Sequence, residues 1–161
     1  MNLFAVHRDP RDSARALADR HVVKMTLETA QMLSAALHRY DAAPEGAYRA
    51  THKNHPCTRW VGDSRCNYRW AVEHGRALAA EYERRFSKQH KSLRVIDLCA
   101  DHAEAIPEGH LTPFALAMPD EFKVRCPHAS YRDYLRDKYR AWTDAGRAPK
   151  RTSPLLFAVT P

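Results

Sequence analysis

Apolar residues recur every three or four positions along most of the chain, and this spacing predicts an all-α fold of about four helices. The first helix follows a capping segment at 9–13, and the second is capped by Asp63 or Ser64. Ser92 and Ser130 cap the third and the fourth. The predicted helices cover about residues 14–40, 64–86, 93–105 and 131–146.

Two further segments, 1–6 and 106–127, are predicted to lie outside the helices. Residues 1–6 are apolar and form a short extended N-terminal arm or a single strand, and residues 106–127 form a long irregular segment. No internal repeat or long linker divides the chain. We therefore expect a single domain over residues 1–161.

The first predicted helix carries a narrow polar stripe on an otherwise apolar surface. The stripe residues follow one another at steps of three, four and three, which return to nearly the same side of a helix. They are His21, Lys24, Glu28 and Gln31, and the apolar residues around them are Val22, Val23, Leu27, Ala30, Leu33 and Leu37. Because a buried lysine or glutamate is costly unless it is paired or used, we expect the stripe to line a cleft. The alternative is a partly exposed helix with ordinary polar side chains.

Composition and charge narrow the class of protein. A hydrophobic share of 44% and a charged share of 28% fit a soluble globular protein, and no stretch approaches the length of a membrane span. The cysteines, at positions 57, 66, 99 and 126, form no CxxC pair, which predicts reduced thiols in the cytoplasm. The formal charge of +7 favours a polyanionic partner, most simply nucleic acid.

A second polar group lies in the segment 51–60, where Asn54 and His55 precede Pro56. Proline pushes the backbone before it out of the helical region, so both side chains stand on a turn that can aim them into a cleft. The alternative is that they cap the next helix or satisfy loop backbone groups. The spacing of His52, His55 and Cys57 matches no standard zinc site, and we assign no metal.

Aromatic and basic residues supply candidate DNA contacts. Trp60 and Tyr68 are suited to stacking on an extruded base, although aromatic residues at helical spacing also form cores. Arg20 adjoins the polar stripe. Arg69 and Arg76 belong to the basic flank of the second predicted helix, which consists of Arg69, Arg76, Arg84, Arg85, Lys88 and Lys91.

Several of these motifs resemble the pyrimidine-dimer DNA glycosylases of the endonuclease V type. The segment Leu17–His21, followed seven residues later by Glu28, is similar to the N-terminal helix of that family. The chain also resembles bacterial and phage relatives with an H/R-x-x-K-x-x-x-E-x-x-Q helix, an N-H-P-x-x-x-W turn and an E-Y-x-x-R-F-like segment. Here those are the polar stripe, the turn from Asn54 to Trp60, and Glu81–Phe86.

The resemblance implies an all-α domain that kinks double-stranded DNA, flips a nucleotide and cleaves an N-glycosidic bond. A glutamate matching Glu28 stabilises the sugar intermediate in that family, and a histidine matching His21 contacts DNA. The family's nucleophile is the amine of an N-terminal threonine, whereas here Met1 precedes Asn2. Leu27 stands where the family has an arginine beside the glutamate. These departures argue against a strand-cleaving lyase step.

We therefore expect a DNA glycosylase-like enzyme acting on a damaged or hypermodified pyrimidine. Glu28 would stabilise the oxocarbenium-like sugar, and His21 or His55 would donate to the departing base. Lys24 would pair with Glu28 one helical turn away, or, if desolvated, attack C1′ itself. We favour hydrolysis without a covalent amine intermediate.

Two other functions stay open on these residues. One is a phage-type transferase that hypermodifies a DNA base, and the other is a basic DNA-binding module without activity. In the glycosylase and in the transferase alike, Gln31 and Asn54 have the donor–acceptor pairs needed to contact a base edge. We expect a cytoplasmic monomer without a cofactor.

Overall fold

The chain folds into six α-helices over the part that the computed structural model describes, which is residues 1–124, 126–152 and 156. The helices are α1 (Pro10–Ala16), α2 (Asp19–Arg39), α3 (Pro56–Asp63), α4 (Arg65–Phe86), α5 (Leu93–Ala100) and α6 (Pro127–Asp144). Short 3-10 turns follow at Ala103–Ala105 and Asp120–Phe122. No strand occurs among these residues, so the predicted all-α class is confirmed, with two more helices than expected.

The predicted start of α4 is confirmed in detail. Ser64 Oγ accepts a hydrogen bond from the backbone N–H of Asn67 at 3.1 Å, which caps the helix. Two other helices differ from the prediction. No helix was predicted over the residues of α3. α6 begins at Pro127, before Ser130, because proline is tolerated in the first turn of a helix.

The first predicted helix is broken in two at Leu17 and Ala18, which both have extended backbone angles. Neither residue is a helix breaker, so the break depends on distant partners. Arg85 of α4 donates to the Leu17 carbonyl at 2.8 Å. The hydroxyl of Tyr139 on α6 accepts from the backbone N–H of Ala18 at 3.0 Å. These bonds satisfy backbone groups that a continuous helix would have paired internally.

The helices α2 and α4 form the centre of the fold, and α1, α3 and α5 pack against them. Gly75 allows α4 to approach its neighbours closely. A Cβ atom at this position would lie 2.9 Å from Thr29 Cγ2 and 3.0 Å from Ile96 Cδ1. None of the described helices is both long and apolar enough to cross a bilayer.

The apolar surface of α2 is not buried all round, as its pattern suggested. Val22, Leu33 and Leu37 are buried in the core, but Val23 and Leu27 are 41% and 40% exposed. The side of α2 that carries the polar stripe is therefore next to solvent, where the start of the chain and α6 enclose part of it.

The N-terminal segment 1–6 lies in the core and is not a free arm. Leu3, Phe4, Ala5 and Val6 are all buried. Asn2 Oδ1 accepts from the backbone N–H groups of Leu3 and Phe4, at 2.8 and 3.2 Å. This turn holds Phe4 in the left-handed region, at φ 49°, which is uncommon for a bulky residue. The segment thereby places Asn2 and Phe4 beside the polar stripe of α2.

Candidate functional site

A cavity of about 450 Å³ lies between the N-terminal segment, the first half of α2 and α6. It is lined by Met1, Asn2, Phe4, Arg20, His21, Lys24, Met25, Glu28, Ala117, Tyr134, Lys138, Trp142 and Arg147. Three of the four stripe residues are therefore in its wall, together with the predicted Arg20. Gln31 is half-buried farther along α2 and does not line this cavity.

Glu28 is the one carboxylate among the residues that line the cavity, and it is 7% exposed. Its Oε2 accepts from the backbone N–H of Asn2 at 2.9 Å and lies 3.6 Å from the amine of Met1. Its Oε1 lies 3.4 Å from Lys24 Nζ. One backbone hydrogen bond and two ion pairs thus hold the carboxylate at a fixed place in the cavity wall.

His21 is buried in an aromatic setting. Its ring centroid lies 4.6 Å from that of Phe4 and 5.0 Å from that of Trp142, and its Nδ1 lies 2.8 Å from the hydroxyl of Tyr139. Burial, together with the nearby Lys138, lowers the pKa of His21 to about 3. The imidazole is therefore neutral at physiological pH. It can donate a hydrogen bond to a substrate, but it does not carry a positive charge as a general acid.

The wall opposite α2 comes from one face of α6. Tyr134, Lys138 and Trp142 follow one another at intervals of four residues, and all three are half-buried and line the cavity. Lys138 Nζ lies 5.5 Å from the ring centroid of Tyr134, and the guanidinium carbon of Arg20 lies 5.0 Å from that of Trp142. These distances are typical of cation–π contacts.

Positive charge surrounds the cavity. Besides the Met1 amine, its lining contains four cationic side chains and a single carboxylate. The four are Arg20, Lys24, Lys138 and Arg147. Of these four, Lys24 has a carboxylate partner in the described part of the chain, and the other three have none. Such a rim is suited to phosphate groups on the two sides of an enclosed nucleotide.

His55 caps α3, which is the alternative role that the sequence predicted for the turn residues. Its Nδ1 accepts from the backbone N–H of Cys57 at 3.2 Å. Burial and the positive charge of the Met1 amine lower the pKa of His55. Asn54 is exposed and lines a separate groove with Lys53 and Arg59. Neither residue of the turn lines the cavity around Glu28.

The structure places Trp60 and Tyr68 in the core, which removes them from the residues able to stack on a base. Trp60 is 4% exposed, and its ring packs against Phe114 and Trp70. Tyr68 is fully buried and donates its hydroxyl proton to the Cys99 carbonyl at 3.0 Å. Both rings therefore contact other protein residues, whereas stacking on an extruded base was expected.

The two arginines proposed on the basic flank of α4 are paired with carboxylates. Arg69 lies 2.7 Å from Glu104, and Arg76 lies 2.7 Å from Asp97. Both line a groove on another part of the surface from the cavity around Glu28. Their positive charge is largely offset there, so this flank is a weaker candidate for contact with phosphate.

Several cavity residues were missed from the sequence. Asn2 and Phe4 belong to the segment that was predicted as an arm or a strand, and the aromatic residues of α6 were given no role in the site. One signal was present in α6, where Lys138 stands one turn from both Tyr134 and Trp142. A cation between two aromatic residues on one helix face is unusual for a core.

Other chemistries find little support around the cavity. Cys57 is close to Asn2, but burial raises its pKa to about 11, so it is a neutral thiol and a poor nucleophile. Among the described residues, no group of three His, Cys, Asp or Glu side chains could share a metal ion.

The cavity thus combines an enclosed carboxylate and a neutral histidine with a rim of cationic and aromatic side chains. The family model for pyrimidine dimer DNA glycosylase matches residues 1–95, which is more than half of the 161-residue chain. The protein belongs to this family of DNA glycosylases, which confirms the resemblance found in the sequence. No curated protein and no solved structure gives a significant match.

Proposed function

We propose that the protein is a DNA glycosylase that removes a damaged or hypermodified pyrimidine from double-stranded DNA, with Glu28 acting at the sugar. The observation that carries this proposal is the position of Glu28, the one carboxylate in a cavity lined by four cationic side chains. Cations at the rim would hold the DNA backbone. The positively charged sugar would form beside the carboxylate of Glu28.

The proposed reaction needs no covalent intermediate. The bond between C1′ and the base nitrogen breaks, and its electron pair leaves with the base. Glu28 stabilises the oxocarbenium-like sugar that remains, and a water molecule adds to C1′ and gives up a proton to solvent. The departing base takes up a proton from solvent in exchange. The neutral imidazole of His21 donates a hydrogen bond to the departing base. The products are a free base and an abasic site.

Base extrusion would bring the reacting nucleotide into the cavity. The half-buried rings of Tyr134 and Trp142 line the cavity and would offer apolar surface for the base. Lys138 and Arg147, which also line it, would contact the flanking phosphates. In this proposal α2 supplies the reacting groups and α6 supplies the wall against which the base lies.

The direct test is release of a base from defined duplexes. Wild-type protein would be incubated with duplexes that carry a pyrimidine dimer, 5-hydroxymethylpyrimidine or a glycosylated pyrimidine, and the products analysed by mass spectrometry. We expect an abasic site in at least one of them. An altered but intact base would indicate the transferase, and tight binding without any product would indicate the DNA-binding module.

We predict that the cavity rim, and not the α4 flank, determines the salt dependence of DNA binding. The double variant Lys138→Ala/Arg147→Ala should reduce the slope of log K against log salt by about 0.9 for each lost phosphate contact. The matched control, Arg69→Ala/Arg76→Ala, removes the same charge from paired positions and should leave the slope unchanged. Fluorescence anisotropy over a salt series measures both. An equal loss of slope in the control would disprove this placement of the DNA.

We also predict that borohydride will trap no covalent protein–DNA adduct during base release. The side chain of Lys24 is 67% exposed, and its ammonium pairs with Glu28, so it lacks the desolvation that makes a lysine nucleophilic. The Met1 amine is likewise held against the same carboxylate. Denaturing electrophoresis with labelled DNA detects such adducts. An adduct that maps to Met1, or one that disappears in Lys24→Ala, would show that an amine attacks the sugar and would contradict the proposed hydrolysis.

A further inference from the structure

The hydroxyl of Tyr139 connects α6 to the start of α2. It accepts a hydrogen bond from the backbone N–H of Ala18 at 3.0 Å, and its oxygen lies 2.8 Å from His21 Nδ1. Both side chains are buried, with 2% of Tyr139 and 4% of His21 exposed. Solvent therefore has little access to these atoms, and each polar group depends on the others for a partner.

The direction of these bonds decides which form of His21 is present. The backbone N–H of Ala18 can only donate, so the Tyr139 oxygen accepts there. The hydroxyl proton then has one acceptor in the described part of the chain, His21 Nδ1. A proton on Nδ1 would instead leave a buried hydroxyl proton without an acceptor, which is costly. We infer that Tyr139 is a positioning residue that holds His21 as the neutral Nε2–H tautomer.

The other nitrogen of the ring is then a fixed donor. His21 lines the cavity, and its Nε2 makes no hydrogen bond within the described residues. The charged groups that act on the pKa of His21 are Lys138 of α6 and Lys24 and Arg20 of α2, and all of them are cations. Together with burial they oppose protonation of the ring and lower its pKa to about 3. The imidazole therefore keeps one proton, on Nε2, throughout the neutral pH range.

The role of this donor in base release depends on the proposed function, but the tautomer does not. If the reaction is glycosidic cleavage, the Nε2–H group donates to the departing base without a preceding protonation step. Tyr139 lies beyond residues 1–95, which the family model matches. A residue on α6 thus sets the chemical form of a histidine that the matched segment supplies.

The test is the tautomer of His21 in the free protein, read from nitrogen–proton correlations in ¹⁵N-labelled samples and assigned with His21→Gln. Wild-type protein should show the proton on Nε2. In Tyr139→Phe the Nδ1–H form should become detectable, because the donor to Nδ1 is lost. The matched control is Tyr68→Phe, which removes another buried hydroxyl that donates to a carbonyl. It should leave the His21 signals unchanged.

The same variants would be compared in base release. We expect Tyr139→Phe to lower kcat about tenfold with little change in KM, because a misplaced proton weakens a bond formed in the transition state. A wild-type proton on Nδ1, or an unaltered tautomer in Tyr139→Phe, overturns the inference. If Tyr139→Phe fails to fold, the wild-type spectrum alone decides. If wild-type protein releases no base, the proposed function fails while the tautomer assignment is still tested.

Discussion

Replacing Glu28 by Gln is expected to reduce the rate of base release by about a hundred- to a thousandfold. The neutral amide keeps the shape of the carboxylate, and its oxygen can still accept from the backbone N–H of Asn2. It no longer offers a negative charge to the oxocarbenium-like sugar, and loss of one such electrostatic contact has an effect of this size in other enzymes. Single-turnover release from the duplex that the wild type processes measures the change.

The control for this prediction is Glu73→Gln, which alters the net charge equally on an exposed part of α4. It should release the base at the wild-type rate. Binding by Glu28→Gln should be unchanged or tighter, because a negative charge near phosphate is removed. Undiminished release by Glu28→Gln would refute the proposed role of this carboxylate.

The largest loss of stability is expected for Arg85→Met. The guanidinium of Arg85 is almost fully buried and pairs with Asp19 at 3.2 Å and with Glu81 at 2.9 Å. It also donates to the carbonyls of Leu17 and Arg15. Its removal leaves two poorly hydrated carboxylates and two carbonyls without this donor. We expect the free energy of unfolding to fall by about 3–5 kcal/mol, as for other broken buried ion pairs.

Arg84 provides a closely matched control for this prediction. It precedes Arg85 in the chain and pairs with the same Glu81, but its side chain is 66% exposed. Arg84→Met should therefore cause a much smaller loss of stability than Arg85→Met, because an exposed ion pair contributes little. Urea unfolding followed by circular dichroism measures both variants. If the two losses differ by less than about 1 kcal/mol, the buried cluster is not the main support of the junction between α1 and α2.

Local signals in the sequence predicted most of the helices. The period of apolar residues and the cap at Ser64 place α4 because both act within a few residues of each other. The break at Leu17 and Ala18 has no such signal. Its partners, Arg85 and Tyr139, are 68 and 121 residues away from Leu17 and Ala18 respectively, so only the folded chain brings them to these backbone groups.

The candidate site was predictable to the extent that it lies on one helix. The periodicity of α2 places His21, Lys24 and Glu28 on the same side, and the cavity contains all three. The wall from α6 depends on contacts between residues more than a hundred positions apart. The buried Trp60 shows a different limit, because an aromatic residue has the same spacing whether it packs in a core or stacks on a base.

The basic flank of α4 shows why charge patterns mislead. Arg69 and Arg76 form a stripe of positive charge when α4 is considered alone. In the folded chain, Glu104 from the turn after α5 and Asp97 from α5 offset that charge. The identity of a DNA-binding face therefore depends on which cations lack carboxylate neighbours, and this property is set by tertiary structure.

The cavity takes its two sides from segments that lie far apart in the chain, α2 with Glu28 and α6 with Tyr134, Lys138 and Trp142. Mutations at the three wall residues of α6 need not disturb Glu28, whereas Tyr139 on the same helix contacts His21. Evolution could therefore retain α2, with its proposed reacting groups, together with Tyr139, and vary only the wall residues. Among relatives of this protein, we expect a change of target base to be accompanied by changes at these three positions. Exchange of the three wall residues between two such relatives is then a route to a new specificity.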